Sequence, residues 1–291
     1  MDEKVNRTYK DRLFSFLFGR EENKAWTLSL YNAVNGTNYT NADEIEINTI
    51  DNVLFMGMKN DVSFIFDNVV SLYEQQSTFN PNMPIRQLLY LSRLYEKHIR
   101  DTDQDLYGQR QIRLPIPRFI TFYNGTDNVE DQDLKLSDSF EKAEDADKSD
   151  VEVTVHLINI KPENNKELLK ACQPLREYSW LIDTIWENKK TMKIRAAVDK
   201  ALEEMPTDFE IRKFLLNNRA EVMGMLLTEY DEARHFQKIK EEGREEGLKE
   251  GLKEGRLLSY IELVQSGTIS PDIAAQKLGI SVEEFISKIP N

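Results

Sequence analysis

Residues 61–76 read DVSFIFDNVVSLYEQQ, and this stretch decides the fold. Two runs rich in β-branched and aromatic side chains flank Asp67 and Asn68, a pattern that predicts a β-hairpin with a two-residue turn. That turn length fixes the register, because Phe66 then pairs with Val69 and every earlier residue acquires a defined partner. The stretch therefore predicts two antiparallel strands with a known alignment.

Acidic residues lie at the open end of this hairpin. Continuing the register away from the turn places Asp61 opposite Glu74, and directly opposite residues have Cβ atoms about 4.5–5.5 Å apart. Gln76 lies two residues beyond Glu74 and so faces the same side of the strand. Two carboxylates at this spacing repel each other unless a cation lies between them, and oxygen ligands favour Mg²⁺, with Mn²⁺ as an alternative. In the absence of a metal site, both acids would be strand-end residues that face water.

The sequence around the hairpin predicts an α/β region followed by an all-α region. Helical periodicity is found in residues 9–19, 26–34 and 85–99, the last with Ile85, Leu88, Leu89, Leu91 and Leu94 at helical spacing. Strand patterns cover residues 44–50, 118–123 and 151–160. Between 127 and 152 acidic residues far outnumber lysines, which predicts a solvated loop. Beyond Glu163 the patterns are helical, over residues 168–189, 192–204 and 208–236.

Glycine recurs every four residues near the end of the chain, at Gly243, Gly247, Gly251 and Gly255. In a helix these glycines form one smooth stripe against which another helix can pack closely. Each glycine costs about 1 kcal/mol relative to alanine within a helix. The same segment would alternatively be a flexible charged linker.

The last segment, residues 273–281, has the small residues and the glycine of a helix-turn-helix core. The second helix would begin with Glu283 and Glu284, whose charges would repel phosphates. A small helical hairpin is therefore favoured over a DNA-reading motif.

Composition limits the classes of protein to which this chain can belong. The chain has 291 residues and a formal net charge of −13, which counts against broad non-specific binding of nucleic acid. A single cysteine, Cys172, suits a reducing compartment. The absence of an apolar run of about 20 residues and the polar segment from Met1 to Lys10 predict a cytoplasmic protein that is not in a membrane.

The order of an Asp-bearing strand, a returning strand with Glu-x-Gln and then a helix resembles the PD-(D/E)XK nuclease superfamily. Residues 59–64 with 72–84 resemble, more closely, the recombination-promoting nuclease / putative transposase family. Residues 118–125 resemble its later core strand, and residues 9–18 its opening helix. The resemblance implies a restriction-endonuclease-like mixed-sheet core flanked by helices at residues 1–162. A helical extension at 163–240 and a tail with a small helical hairpin at 241–291 would follow.

The resemblance also implies a reaction, the Mg²⁺-dependent hydrolysis of phosphodiester bonds in DNA by an endonuclease. Asp61 and Glu74 would ligate the metal, and Asp11 on the first helix would complete its shell. Gln76 stands where the superfamily pattern has Lys. Because an amide orients water but does not take its proton, the identity of the general base stays open.

DNA is the expected partner, and basic residues give candidate contacts. Lys10 is one, while Arg86, Arg93, Lys97 and Arg100 share one face of the helix after the hairpin. A solvated charged face would explain the same spacing. Self-association through the C-terminal helices is also expected. Recombination, mobile elements and phage defence are all compatible settings, and the alternative function is an inactive nuclease-like module that acts through its helical tail.

Overall fold

The fold is an α/β sheet protein with a long helical continuation, seen in a computed structural model that describes residues 12–48, 61–125 and 127–289. The strands are β1 (Glu46–Ile47), β2 (Val62–Phe66), β3 (Val69–Gln76), β4 (Ile116–Tyr123), β5 (Gln132–Lys135) and β6 (Thr154–Asn159). The helices are α1 (Arg12–Phe18), α2 (Lys24–Asn35), α3 (Met83–Asp101), α4 (Lys166–Ala171), α5 (Gln173–Lys189), α6 (Ile194–Glu204), α7 (Glu210–Asn217), α8 (Arg219–Gln265), α9 (Pro271–Leu278) and α10 (Val282–Ser287).

The predicted hairpin is confirmed. Asp67 and Asn68 both have positive φ, at 49° and 59°, as a type I′ two-residue turn requires. Phe66 pairs with Val69 and the ladder continues in the predicted register through the rest of β2. Because Asp61 directly precedes the first paired residue of β2, it stands across from Glu74.

The hairpin belongs to a mixed sheet with strand order β1-β2-β3-β4-β6-β5. Strands β3, β4 and β6 are parallel to one another, whereas β2 is antiparallel to β3. The beginning of β2 therefore lies at the same edge of the sheet as the ends of β3, β4 and β6. This arrangement gathers Asp61, Gln76, Asn124 and Asn159 along one edge.

Each face of the sheet has its own apolar core. Phe64, Tyr73 and Phe122 belong to one cluster with side chains of α1, α2 and the helices from α4 to the start of α8. Leu72 and Phe119 belong to the other, which includes residues of α3. The region predicted as a helical extension thus shares its core with the sheet, and this compact unit extends to Tyr230.

The helix α3 buries only part of the apolar face predicted for it. Leu94 is buried, and Leu88 and Leu91 pack against the core. Ile85 and Leu89 are 37% and 41% exposed, and their place on the buried side is taken by Met83, Gln87 and Tyr90. The apolar spacing thus predicted the helix correctly and its buried side chains in part.

Two predicted helices are each divided. Residues 168–189 form α4 and α5, with Cys172 in an extended conformation between them. Pro174 lies in the first turn of α5, where its missing N–H is tolerated, but it cannot continue a helix from before that point. Residues 208–236 are divided at Asn218, between α7 and α8.

The acidic stretch is more structured than predicted. Residues 132–135 form β5, which pairs with β6 at the edge of the sheet, and two short 3₁₀ helices follow at 136–139 and 143–148. Three of the four residues of β5 are exposed, so its composition is that of a solvated edge strand and not of a core strand.

A second compact unit starts at Asp231. The glycine-rich segment is helical within α8, which favours the helix over the flexible linker. Ile261 packs with Ala274, Ala275 and Phe285 in a small core, and α9 ends at Gly279 with φ 71° before α10 begins. The predicted helical hairpin is therefore present. Within the part of the chain that the structure describes, no helix has both the length and the apolar character needed to cross a membrane.

Candidate active site

The acidic centre lies at the sheet edge where β2 begins and β3 ends. Asp61 is 4% exposed, Glu74 is fully buried and Gln76 is 2% exposed. Both acids are thus withdrawn from water, unlike ordinary strand-end residues. Since buried carboxylates require charge or hydrogen-bond partners, the surroundings of each one define what this centre can do.

Asp61 is held in place by the backbone around it. Its Oδ2 accepts a hydrogen bond of 2.7 Å from the main-chain N–H of Gln75. The hydroxyl of Ser15 in α1 donates to the main-chain carbonyl of Asp61 at 2.6 Å. These contacts tie Asp61 to β3 on one side and to the first helix on the other.

Glu74 is neutralised by a residue of α3. Arg86 Nη2 lies 3.2 Å from Glu74 Oε2 and donates to the Tyr90 hydroxyl at 2.9 Å. Burial opposes the charge on Arg86, but Glu74, Tyr90 and Asp61 together outweigh it and raise the pKa of the guanidinium. Burial and the negative charge of Glu74 raise the pKa of the Tyr90 phenol. Asp61, Glu74, Arg86 and Tyr90 therefore form one electrostatic cluster.

Buried polar atoms without hydrogen-bond partners occur on the three elements that form this cluster, β3, β4 and α3. In the described part of the chain, Gln76 Oε1 is buried and accepts no hydrogen bond, while its amide nitrogen lies against Met83. Both side-chain polar atoms of Gln87 are likewise buried without a partner, as is Thr121 Oγ1. Thr121 is the register partner of Glu74 in β4. Such orphaned groups are costly, so their presence here suggests that a polar ligand or ordered water belongs in the centre.

The opposite face of β3 carries a second polar connection. The side chain of Gln75 donates to Asn124 Oδ1, and Asn124 in turn lies 3.5 Å from the Tyr178 hydroxyl. Gly125 follows, and a Cβ at this position would lie only 2.6 Å from Tyr123 Cζ. The glycine is therefore required by the close approach of the Tyr123 ring and of the main-chain oxygen of Ser77.

The donor set of the centre suits a hard cation. Asp61 and Glu74 supply carboxylates, and Gln76 supplies a buried amide oxygen, which are the ligand types that Mg²⁺ and Mn²⁺ prefer. A group of three His, Cys, Asp or Glu side chains able to hold a metal does not occur within residues 12–48, 61–125 and 127–289. Asp11, predicted to complete the shell, lies outside the described residues, as does Lys10.

The predicted DNA contacts on α3 separate into two kinds. Arg86 points into the acidic centre and is only 16% exposed. Arg93 is half-exposed and pairs with Glu96 at 3.1 Å. Lys97 is partly buried, and Arg100 is exposed beside Asp101. The basic stripe therefore begins in the centre and continues outward along the helix.

Sequence reasoning missed the roles of Gln87, Tyr90 and Thr121, and it assigned Arg86 to DNA contact alone. A helical pattern that counted Met83, Gln87 and Tyr90 as one face would have indicated the polar side of α3. The Glu74–Arg86 pair itself has no local signal, because the two residues lie on different elements.

Comparison of the chain with protein-family models, with curated proteins and with solved structures found no match. The chemistry of the site is therefore inferred from its own residues.

Proposed function

We propose that this chain is a metal-dependent DNA endonuclease with a PD-(D/E)XK type of core. The observation that most strongly supports this proposal is the pair of buried carboxylates, Asp61 and Glu74. They lie on one face of a hairpin whose register was predicted from its turn. Stability alone gives little reason to bury two acids side by side, because each loses hydration. A cation-dependent reaction gives such a reason.

In the proposed reaction each residue has a defined task. Asp61 and Glu74 would hold the cation, and the hydrogen bond from the Gln75 N–H orients Asp61 for this role. A bound Mg²⁺ ion would lower the pKa of a water molecule and stabilise charge on the scissile phosphate. Gln76 orients water through its amide. Because Gln76 cannot act as a base, another group or the solvent takes the proton.

DNA would approach along α3, whose outward basic residues Arg93, Lys97 and Arg100 contact phosphates. Asp11 and Lys10, which directly precede α1 in the sequence, would add a metal ligand and a phosphate contact. The high overall negative charge limits affinity for DNA in the absence of divalent metal. Recombination, mobile-element movement and phage defence are the settings that we propose for such an activity.

The C-terminal unit would serve self-association. A Cβ at Gly243, Gly247, Gly251 or Gly255 would meet nothing within 4 Å, so the described part of the chain gives these glycines no packing reason. Leu248 and Leu252 beside them are 65% and 60% exposed. A second copy of the helix packing on this stripe would bury both the backbone and the leucines.

A second candidate function is a nuclease-like module without catalysis. The Glu74–Arg86 ion pair favours it, because the arginine neutralises a carboxylate that a metal site needs. The two functions differ in a plasmid-cleavage assay with Mg²⁺ or Mn²⁺. Cleavage by the wild type that is lost in both Asp61→Ala and Glu74→Ala supports the endonuclease. Cleavage that survives both substitutions refutes the site, and no cleavage with either metal favours the module.

A further inference from the structure

We propose that Arg86 is a built-in counter-ion that leaves Glu74 when a divalent cation binds, so that Arg86 sets the metal affinity of the centre. This inference rests on the proposed function and adds a means of regulating it. It starts from the observation that the site already contains a positive charge of its own.

Arg86 is fixed in the centre by several contacts. Nη2 lies 3.2 Å from Glu74 Oε2 and 2.9 Å from the Tyr90 hydroxyl, while Nη1 lies 3.4 Å from Met83 Sδ. All three partners are buried. A planar guanidinium matches such a set of acceptors, which an ammonium group could not satisfy in the same geometry. The position of Arg86 is therefore specified by its surroundings.

The charges of the centre explain why Arg86 and a divalent cation compete. Asp61 and Glu74 contribute two negative charges, and Arg86 contributes one positive charge. A divalent cation ligated by the same carboxylates would make the cluster positive if Arg86 stayed. Like charges at close range in a buried site repel strongly. Arg86 must therefore move away from Glu74 or weaken the binding of the metal.

The side chain of Arg86 has a route by which to move. It is 16% exposed, whereas the side chain of Glu74 is fully buried. Rotation about the long aliphatic stem can turn the guanidinium outward, toward the side of α3 that carries Arg93 and Lys97. The carboxylate cannot follow, because its strand is central in the sheet. The arginine is thus the partner that moves.

The test is isothermal titration of the full chain with Mn²⁺, without DNA, for the wild type and matched variants. Arg86→Gln removes the competing charge and is expected to bind Mn²⁺ about tenfold more tightly, in the usual range of coupling between interacting sites. Arg86→Lys retains the positive charge but loses the planar contacts, so its Mn²⁺ affinity is expected to lie between those of the wild type and Arg86→Gln. Arg195→Gln, at an exposed position of α6 outside the centre, is the control and should not change the affinity.

Glu74→Gln identifies the site, since it should abolish the measured binding. Suppose that the wild type binds Mn²⁺ and Glu74→Gln does not. If Arg86→Gln then binds Mn²⁺ no more tightly than the wild type, the role of Arg86 is refuted and the proposed function still stands. Absence of Mn²⁺ binding in the wild type and in every variant would refute the metal centre, and the inference with it.

A measurement on the wild type covers the case in which Arg86→Gln does not fold. The guanidinium signal of Arg86 is assigned in a ¹⁵N NMR spectrum by its absence in Arg86→Lys. Addition of Mg²⁺ is expected to shift this signal and to speed the rotation of its Nη groups, because the ion pair opens. Backbone signals of neighbouring residues show when the site is saturated with Mg²⁺. If the Arg86 signal is unchanged at saturation, Arg86 is not displaced from Glu74.

Discussion

The main-chain N–H of Gln75 donates a 2.7 Å hydrogen bond to Oδ2 of Asp61. This contact joins the residue before β2 to the next-to-last residue of β3, and it exists because the hairpin has a defined register. A slip of one residue would turn Glu74 to the opposite face of the sheet and separate it from Asp61. The turn at Asp67 and Asn68 therefore controls a site at the far end of the hairpin.

Substitution in the turn tests this dependence. Asn68 has φ 59°, so Asn68→Val is expected to lower the free energy of unfolding by about 1–2 kcal/mol, whereas Asn68→Gly is tolerated. Urea denaturation followed by tryptophan fluorescence measures the difference. The same pair should differ in metal-dependent cleavage, and a Val variant as stable as the Gly variant would show that this φ is not required.

Gln87 tests the idea that the centre keeps polar groups for function at the expense of stability. Its side chain is fully buried, with no hydrogen-bond partner for either polar atom among the described residues. Replacement by the similarly shaped Met is expected to raise the free energy of unfolding by about 1–3 kcal/mol, because an unsatisfied buried amide is removed. Cleavage should fall in the same variant.

The control is Gln109→Met, at an exposed position. This substitution should change neither the free energy of unfolding nor the cleavage rate. A loss of stability in Gln87→Met would mean that the amide is satisfied in solution, for example by a bound water. If the free energy of unfolding and the cleavage rate both rise in Gln87→Met, Gln87 is not part of the functional site.

Gly125 tests the close packing beside Asn124. An added Cβ would lie 2.6 Å from Tyr123 Cζ, so Gly125→Ala should lower the free energy of unfolding by about 1–3 kcal/mol. Thermal denaturation gives the change in stability, and the amide signals of Asn124 in an NMR spectrum report whether its contact with Gln75 is lost. If Gly125→Ala unfolds at the temperature of the wild type, the close approach is not a constraint.

The glycine stripe of α8 makes opposite predictions for stability and association. The double variant Gly247→Ala with Gly251→Ala should stabilise the helix by about 1 kcal/mol per site, since alanine is the better helix former. It should also weaken self-association, because the added methyl groups keep a second helix at a distance. Sedimentation velocity over a range of protein concentrations measures the association. If the double variant associates as strongly as the wild type, the stripe does not form the interface.

Local features of the chain were predictable from sequence, and the reasons are physical. The turn residues Asp67 and Asn68 fix the hairpin, and the hairpin fixes the relation of Asp61 to Glu74. By contrast, the pairing of Glu74 with Arg86 depends on how α3 packs on the sheet. Charge spacing along the helix predicted a surface stripe, and it could not show that its first member turns inward.

Other differences arise from effects that compete with local patterns. Pro174 divides a segment whose apolar periodicity is continuous across the break. The strand β5 has an acidic composition because it lies at the sheet edge, where pairing with β6 supplies order that its own residues do not indicate.

The most direct test of the metal-dependent endonuclease is the rate of plasmid cleavage in Mg²⁺ for the wild type, Glu74→Gln and Glu167→Gln. Glu74→Gln removes a buried ligand charge with little change in shape, while Glu167→Gln makes the same exchange at an exposed position of α4, away from the centre. We predict a loss of about 10²–10³ in rate for Glu74→Gln and no change for Glu167→Gln, in line with the loss of one electrostatic contact to the transition state. Equal cleavage by all three proteins would contradict the assignment of the acidic centre.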